Sequence, residues 1–291
     1  MCAPVATAQY QYHHHHPDQA GSEVADHGTI VRRRTLLRAG AAVAGGAAIV
    51  AGGSAPATAF PKRARRTADL THRLVRTFPS FFGPQVVFDE VVNDFSTSGF
   101  FSKRWTLEEH IGTHIDTPGH FDEGNSLVDQ IGPENLVAPV VVIDITAKAA
   151  EDPNAVVTPD DLVAFERRHG RIPDRALVCM NSGWAAKVDD GDAFRGGAGF
   201  PDLNFPGFSI DATDWLVAKR DPVGIGLDTM SLDPGNSADF AVHVEFLASG
   251  RYGIESMANL DRIPPRGALA FVGPVPWEDG SGSPCRVIAA W

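Results

Sequence analysis

Cysteine is scarce in this chain: among 291 residues there are three, Cys2, Cys179 and Cys285. So few exclude a disulfide framework and a metal cage built of thiolates alone. Positive charge is also short, with 25 Lys and Arg against 36 Asp and Glu and a formal net charge of −11. An acidic chain offers phosphate no basic face, so nucleic acid is excluded as a partner. No Gly-x-Ser-x-Gly elbow occurs, which leaves the serine-hydrolase route without support. The glycine-rich stretch Gly191–Gly199 lacks the Gly-Lys-Ser/Thr of a phosphate loop and reads as a loop beside a pocket. No internal repeat is visible. What is present is an ordinary globular composition, 43% hydrophobic and 21% charged.

The first 59 residues read as an address. Residues 1–30 are polar and irregular. They lead into Arg32-Arg33-Arg34-Thr35-Leu36-Leu37-Arg38, an uncharged Ala/Gly/Val stretch from Ala39 to Gly53, and small residues at Ala57 and Ala59. Basic, apolar and small-x-small segments in that order describe an export signal, and the arginines resemble a twin-arginine signal. The expectation is a leader and signal peptide over 1–59, export to the periplasm or beyond, and no stable membrane association after cleavage. Residues 60–68 are basic and read as linker. Residues 69–291 form the functional domain.

Within it, β-branched and apolar runs predict strands at Val86–Val92, Val137–Thr146, Ala176–Asn181, Val223–Asp228, Ala268–Val272 and Cys285–Ala289. The run Val140–Ile143 is continuous, so both its faces are expected to be covered. Thr158-Pro159-Asp160-Asp161 starts a helix that stops at Gly170. Ser209–Arg220 is a second helix, acidic early and basic late. Ala241–Ser249 is a third, ended by Gly250. The pattern is a single sheet-rich α/β domain, not a regular parallel βαβ array.

Three of the domain's histidines fall within eleven residues, in His110-Ile-Gly-Thr-His114-Ile-Asp116-Thr-Pro-Gly-His120-Phe121. Imidazole and carboxylate are the usual side-chain ligands of zinc and manganese when thiolates are absent. Gly112, Pro118 and Gly119 argue against a continuous helix. An extended or turning segment puts 110, 114, 116 and 120 on one parity.

This segment resembles the signature of the metal-dependent cyclase family, which includes kynurenine formamidases (arylformamidases) and isatin hydrolases. The likeness opens at Asp69-Leu70-Thr71-His72 and continues through Asn181–Trp184, Phe205–Phe208, Gly226–Thr229, Val242-His243 and Glu255 to Gly282–Val287. It implies the family's swivelling β/β/α fold. It also implies that His110 and His114 bind a first metal, that Asp116 reaches both metals of a pair, and that His120 is the acid/base. His243 would bind the second metal and Glu255 would be the second bridging carboxylate. The likeness to isatin hydrolases implies instead one manganese, with His243 on the substrate and Ser256 as a further contact. One or two divalent ions, Zn2+ or Mn2+, are thus expected, with a small-molecule substrate and a homodimer or homotetramer.

The residue chemistry agrees. A divalent cation polarises a carbonyl and activates water, two-oxygen carboxylates suit a bridge, and a histidine suits proton transfer near neutrality. Phe81 falls where the family carries a substrate-stacking aromatic, and core packing is the alternative. Trp105, just before the motif, is expected to line the pocket or the core. His72 reads as a structural hydrogen-bonding residue, Asp228 as a carboxylate that orders a histidine, and Cys179 as inert core. The expected activity is hydrolysis of an amide, lactam or lactone in a small cyclic or N-acyl aromatic compound. Its rivals are an arylformamidase acting on N-formylkynurenine, a metal-dependent cyclase or dehydratase, and a non-catalytic metal-binding protein.

Overall fold

A computed structural model describes residues 66–291; the leader and signal expected over 1–59, and most of the linker, lie outside the described residues. Twelve strands follow in order: β1 (Thr67–Asp69), β2 (Phe88–Asn93), β3 (Ser102–Thr106), β4 (His114–Asp116), β5 (Val137–Asp144), β6 (Val156–Val157), β7 (Leu177–Asn181), β8 (Gly207–Phe208), β9 (Gly224–Leu227), β10 (Tyr252–Glu255), β11 (Arg266–Pro274) and β12 (Gly282–Ala290). Five α-helices accompany them: α1 (Phe95–Ser98), α2 (Thr146–Glu151), α3 (Pro159–His169), α4 (Gly191–Arg195) and α5 (Ile210–Arg220). None is long and apolar enough to cross a membrane.

The main sheet runs β12–β11–β5–β7–β9–β10–β4, and β4 pairs again with β12, so these strands close into a ring. The pairs β5/β7, β7/β9 and β9/β10 are parallel, and the rest are antiparallel. β1 lies beside β12, past the end of β4. Thr67 thus already belongs to the sheet, inside the segment read as linker, because β12 leaves that edge open.

Alternation along the parallel strands divides the core in two. Val140, Val142, Leu177 and Cys179 point into the ring. Val141, Ile143, Val178 and Met180 point outward, under Leu162 and Phe165 of α3 and Ala212 and Leu216 of α5. The run Val140–Ile143 is therefore covered on both faces, which is why it is uninterrupted. Cys179 and Cys285 are both buried and free, and burial raises the Cys179 thiol pKa far above its ordinary value.

The two long helices follow their sequence signals. The Thr158 N–H and hydroxyl both donate to Asp161 at the start of α3, and Gly170, at φ +87°, turns the chain out of it. The third expected helix differs. It opens at Ala241 but widens into a π-helical turn over His243–Leu247. Such turns recur at functional sites. β2 and β3 form a hairpin separate from the main sheet. The motif segment is neither helix nor long strand: only His114–Asp116 is extended, and Pro118–His120 forms a 3-10 turn.

Candidate metal centre and its pocket

Ile115 points into the ring and is fully buried. By alternation its neighbours His114 and Asp116 point out of the ring, on the helix-covered side. On β10, Ile254 points inward and Glu255 outward, and the register sets Glu255 directly across from His114. Asp116 faces Gly253 on one side and Gly282 on the other. Both glycines leave space for the site. A Cβ on Gly282 would meet His110 Cε1 at 2.4 Å, and one on Gly253 would meet Leu232 Cδ1 at 2.6 Å.

His110 reaches this face from the preceding loop. Its Nδ1 lies 2.6 Å from Asp116 Oδ1 and its Nε2 lies 2.9 Å from Ser281 Oγ. Ser281 is held by Glu109, whose carboxylate accepts both its N–H and its hydroxyl. Gly112, at φ +70°, turns the chain so that its own carbonyl accepts from His114 Nδ1 at 2.9 Å. That leaves His114 Nε2 facing Asp116 Oδ1 at 3.2 Å and Glu255 Oε2 at 3.4 Å.

His243 arrives on the π turn. Its Nδ1 lies 2.6 Å from Asp233, which also accepts the N–H groups of Val242 and His243. Its Nε2 is 3.1 Å from Glu255 Oε1 and 3.6 Å from Asp116 Oδ2. Each carboxylate thus turns one oxygen toward His114 and the other toward His243. The Leu232 N–H fixes Glu255 Oε1 at 3.0 Å.

Two buried carboxylates with oxygens within 4.8 Å of each other need positive charge. Burial raises the Glu255 pKa, and the Asp116 carboxylate raises it further. Burial alone would lower the His114 pKa, but the Asp116 and Glu255 carboxylates outweigh it and raise it to about 9. His243 is likewise driven up, against burial, by Asp116, Asp233 and Glu255. Asp116 Oδ2 is buried and has no hydrogen-bond partner, an arrangement costly for an oxygen that nothing fills. A divalent cation supplies both the missing partner and the missing charge, so the donor set fits one. His110, His114, Asp116, His243 and Glu255 are the residues that would hold it.

His120 follows on its 3-10 turn, its ring stacked on His110 with centroids 3.8 Å apart and planes 21° off parallel. One of its ring nitrogens falls with His110 and Asp116 within a 4.8 Å span. Burial pushes its pKa down to about 4. It is a neutral imidazole beside the cluster at neutral pH.

The cluster floors a cavity of about 620 Å³ whose walls include five phenylalanines, Phe78, Phe81, Phe82, Phe121 and Phe240. Phe81 and Ser256 line it, and Phe81 also packs against the buried cluster of Trp184, Phe194 and Phe205. Trp105 does not line it. It stands on the detached β2–β3 hairpin, 48% exposed, and that segment first reaches the pocket at Leu107. Asp228 does not order a histidine either: it accepts the N–H and hydroxyl of Ser182 and the N–H of Trp184. That role belongs to Asp233. His72 donates its backbone N–H to Thr113, and its ring packs on Phe78 and Phe194.

Buried imidazoles and carboxylates of this kind, with a neutral histidine alongside, are the equipment of metal-assisted hydrolysis. The comparisons with known proteins agree. The family described as putative cyclase matches residues 68–234. An isatin hydrolase of Roseibium aggregatum is 33% identical over 215 residues, 71% of this chain and 81% of its own length. A kynurenine formamidase of Bacillus thuringiensis is 27% identical over 184 residues, 63% of this chain and 77% of its own. Among solved structures, isatin hydrolase A from Ralstonia solanacearum superposes with a TM-score of 0.73 at 37% identity, covering 77% of this chain and 91% of that one. The chain belongs to the cyclase family. It is an enzyme of the hydrolase class that acts on carbon–nitrogen bonds.

Proposed function

We propose that the chain opens the amide bond of a small, uncharged aromatic compound, a cyclic lactam of the isatin kind first among them. The observation that carries this reading is the cavity above the cluster. Its walls combine five phenylalanine rings and aliphatic side chains with the hydroxyls of Ser80, Ser231 and Ser256; no Lys or Arg lines it, and its further ionisable groups are the acids Glu108 and Glu109. An uncharged ring suits such a cavity. A free amino acid such as N-formylkynurenine brings an α-carboxylate that meets no Lys or Arg side chain there, which favours the lactam over the formamidase reading.

Bound to the cluster, a divalent cation polarises the scissile carbonyl and brings the pKa of water toward neutrality. The chain does the rest. Asp116 and Glu255 carry the charge balance, Asp233 and Ser281 aim the His243 and His110 rings, and the neutral His120 accepts a proton and returns it to the leaving nitrogen. The all-nitrogen-and-oxygen donor set suits Zn2+ or Mn2+. The test is a hydrolysis screen of the purified chain loaded with each metal, over isatin, formanilide, N-formylkynurenine and a γ-lactone. Release of the ring-opened carboxylate from isatin is expected. Turnover of N-formylkynurenine alone would favour the formamidase, and metal binding without any turnover would favour a binding protein.

Export and self-assembly belong to the same proposal. The arginines and apolar stretch of residues 1–59 support export. Residues 1–65 fused to a reporter that needs export in a folded state should carry it out of the cytoplasm, and Lys at Arg33 and Arg34 should stop it. Exposed Phe88, Phe95, Phe101 and Trp105 on or beside the β2–β3 hairpin support a homodimer or homotetramer, which sedimentation would separate from a 31.1 kDa monomer.

A further inference from the structure

Phe240 stands three residues before His243, and its backbone is left-handed, at φ +53°. A side chain with a Cβ is disfavoured there, and a bulky one is a rare outlier. Glycine or asparagine would take the same turn with less strain. Core packing does not account for the ring, since Phe240 belongs to none of the buried clusters. It is half-buried, on the wall of the cavity above the metal cluster. Strain of this kind persists where a site requires it.

The turn fixes the ring against the chemistry. The Phe240 N–H donates to Ser237 Oγ and its carbonyl accepts from Val244, while Asp233 caps the next N–H groups at Val242 and His243. Ring and ligand are therefore set by one short, hydrogen-bonded segment. Among the described residues, the phenylalanine rings within 6 Å of His243 are Phe121, at 4.9 Å, and Phe240, at 5.9 Å. Phe81, the aromatic expected to stack on substrate, lies one ring further out, 6.0 Å from Phe240. Both rings stack on Phe200, Phe81 at 5.8 Å and Phe240 at 6.2 Å, so what sets Phe240 apart is its nearness to His243.

We propose that Phe240 determines specificity: its ring is the surface against which the aryl group of the substrate lies while the scissile carbonyl sits at the cluster. The inference rests on the hydrolase reading above and names the residue that selects aromatic over alkyl amides.

The test compares wild type with Phe240→Gly and Phe240→Asn, both of which accept the left-handed turn, on formanilide and on N-methylformamide with metal-loaded protein. Losing a buried ring contact should lower kcat/KM for formanilide about 10- to 100-fold. It should leave N-methylformamide within about 3-fold, and the melting temperature should stay within about 4 °C or rise as the strain is relieved. Equal losses on both amides, no loss on formanilide, or a fall in melting temperature of about 10 °C or more would overturn the assignment. If wild type cleaves neither amide nor isatin, the hydrolase reading fails on its own. Calorimetric titration with isatin then decides Phe240, with binding weakened about 10- to 100-fold in Phe240→Gly supporting the role. Unchanged binding, or no binding to wild type, would refute it.

Discussion

Replacing Gly282 with alanine adds one methyl group where β12 passes under His110. That carbon would sit 2.4 Å from His110 Cε1, 2.9 Å from its Nδ1 and 2.7 Å from the Ile115 carbonyl oxygen. Non-bonded carbons settle about 3.5–4.0 Å apart. The Ile115 oxygen belongs to β4 and cannot yield without breaking the ladder, so the imidazole must move by about 1 Å or more. A zinc–nitrogen bond of about 2.0–2.1 Å does not stretch that far. The contact of His110 Nδ1 with Asp116 Oδ1, now 2.6 Å, is lost at the same time. Gly282 does not have a left-handed backbone, so alanine adds a steric effect and no backbone penalty. The expected loss is about 100-fold in metal affinity, or ~2.7 kcal/mol. Overpacking should cost the metal-free fold a further ~1–3 kcal/mol. Competition with a chromophoric chelator measures the first and thermal melting the second. If Gly282→Ala holds zinc as tightly as wild type, His110 is not a ligand and the steric argument fails.

Three further outcomes follow from the same geometry. His120→Ala should keep nearly all its metal and lose about 10²–10⁴ in rate, whereas His114→Ala should lose both; metal content by atomic absorption separates them, and a metal-free His120→Ala would make it a ligand. Asp233→Asn leaves His243 without its carboxylate partner and should weaken the metal about 10- to 100-fold, read by the same chelator competition; unchanged affinity would deny Asp233 its orienting role. The paired nitrogens of Arg220, each 2.6 Å from a Glu166 oxygen, hold that carboxyl below its ordinary value of 4.5. A lowered carboxyl pKa contributes stability above the ordinary value and loses it as pH falls through the folded one. Urea midpoints should therefore show Glu166→Gln about 1 kcal/mol less stable than wild type at pH 7, with the gap closing by pH 3; a gap that persists there would refute the ion pair as its source.

The sequence made the long strands of the ring and the short β9 legible, but not β4 or β10. β5, β7, β11 and β12 announce themselves because both faces of the ring are apolar and β-branched residues crowd there. β4 is three residues inside a segment broken by Gly112 and Pro118, and β10 reads Tyr-Gly-Ile-Glu, too short to show a period. Yet these two carry Asp116, His114 and Glu255. The donors themselves were legible because the requirement is chemical: imidazoles and carboxylates at fixed intervals have few other uses. Their supports were not. Glu109, Ser281 and Asp233 are ordinary polar residues until folding places them against a histidine. A signal for Asp233 existed in its position before Pro234 and Gly235, where a carboxylate commonly caps the next turn. Trp105 shows the converse error, since nearness to the motif along the chain did not say on which body of the structure the residue would stand.

The ring of strands has one narrow join. Among the described residues it closes only through β4, a three-residue strand between β10 and β12. His114 sits opposite Glu255 on β10 and Asp116 opposite Gly253, so a cation held by these three side chains would also be a rivet across that join. Stripping the metal should then shorten the protein's working life as well as its rate. When the join loosens, β10 and β12 present bare edges, and bare edges recruit other chains. Chelated protein should turn turbid at temperatures where the loaded form stays clear, and metal returned after the turbidity appears should come too late.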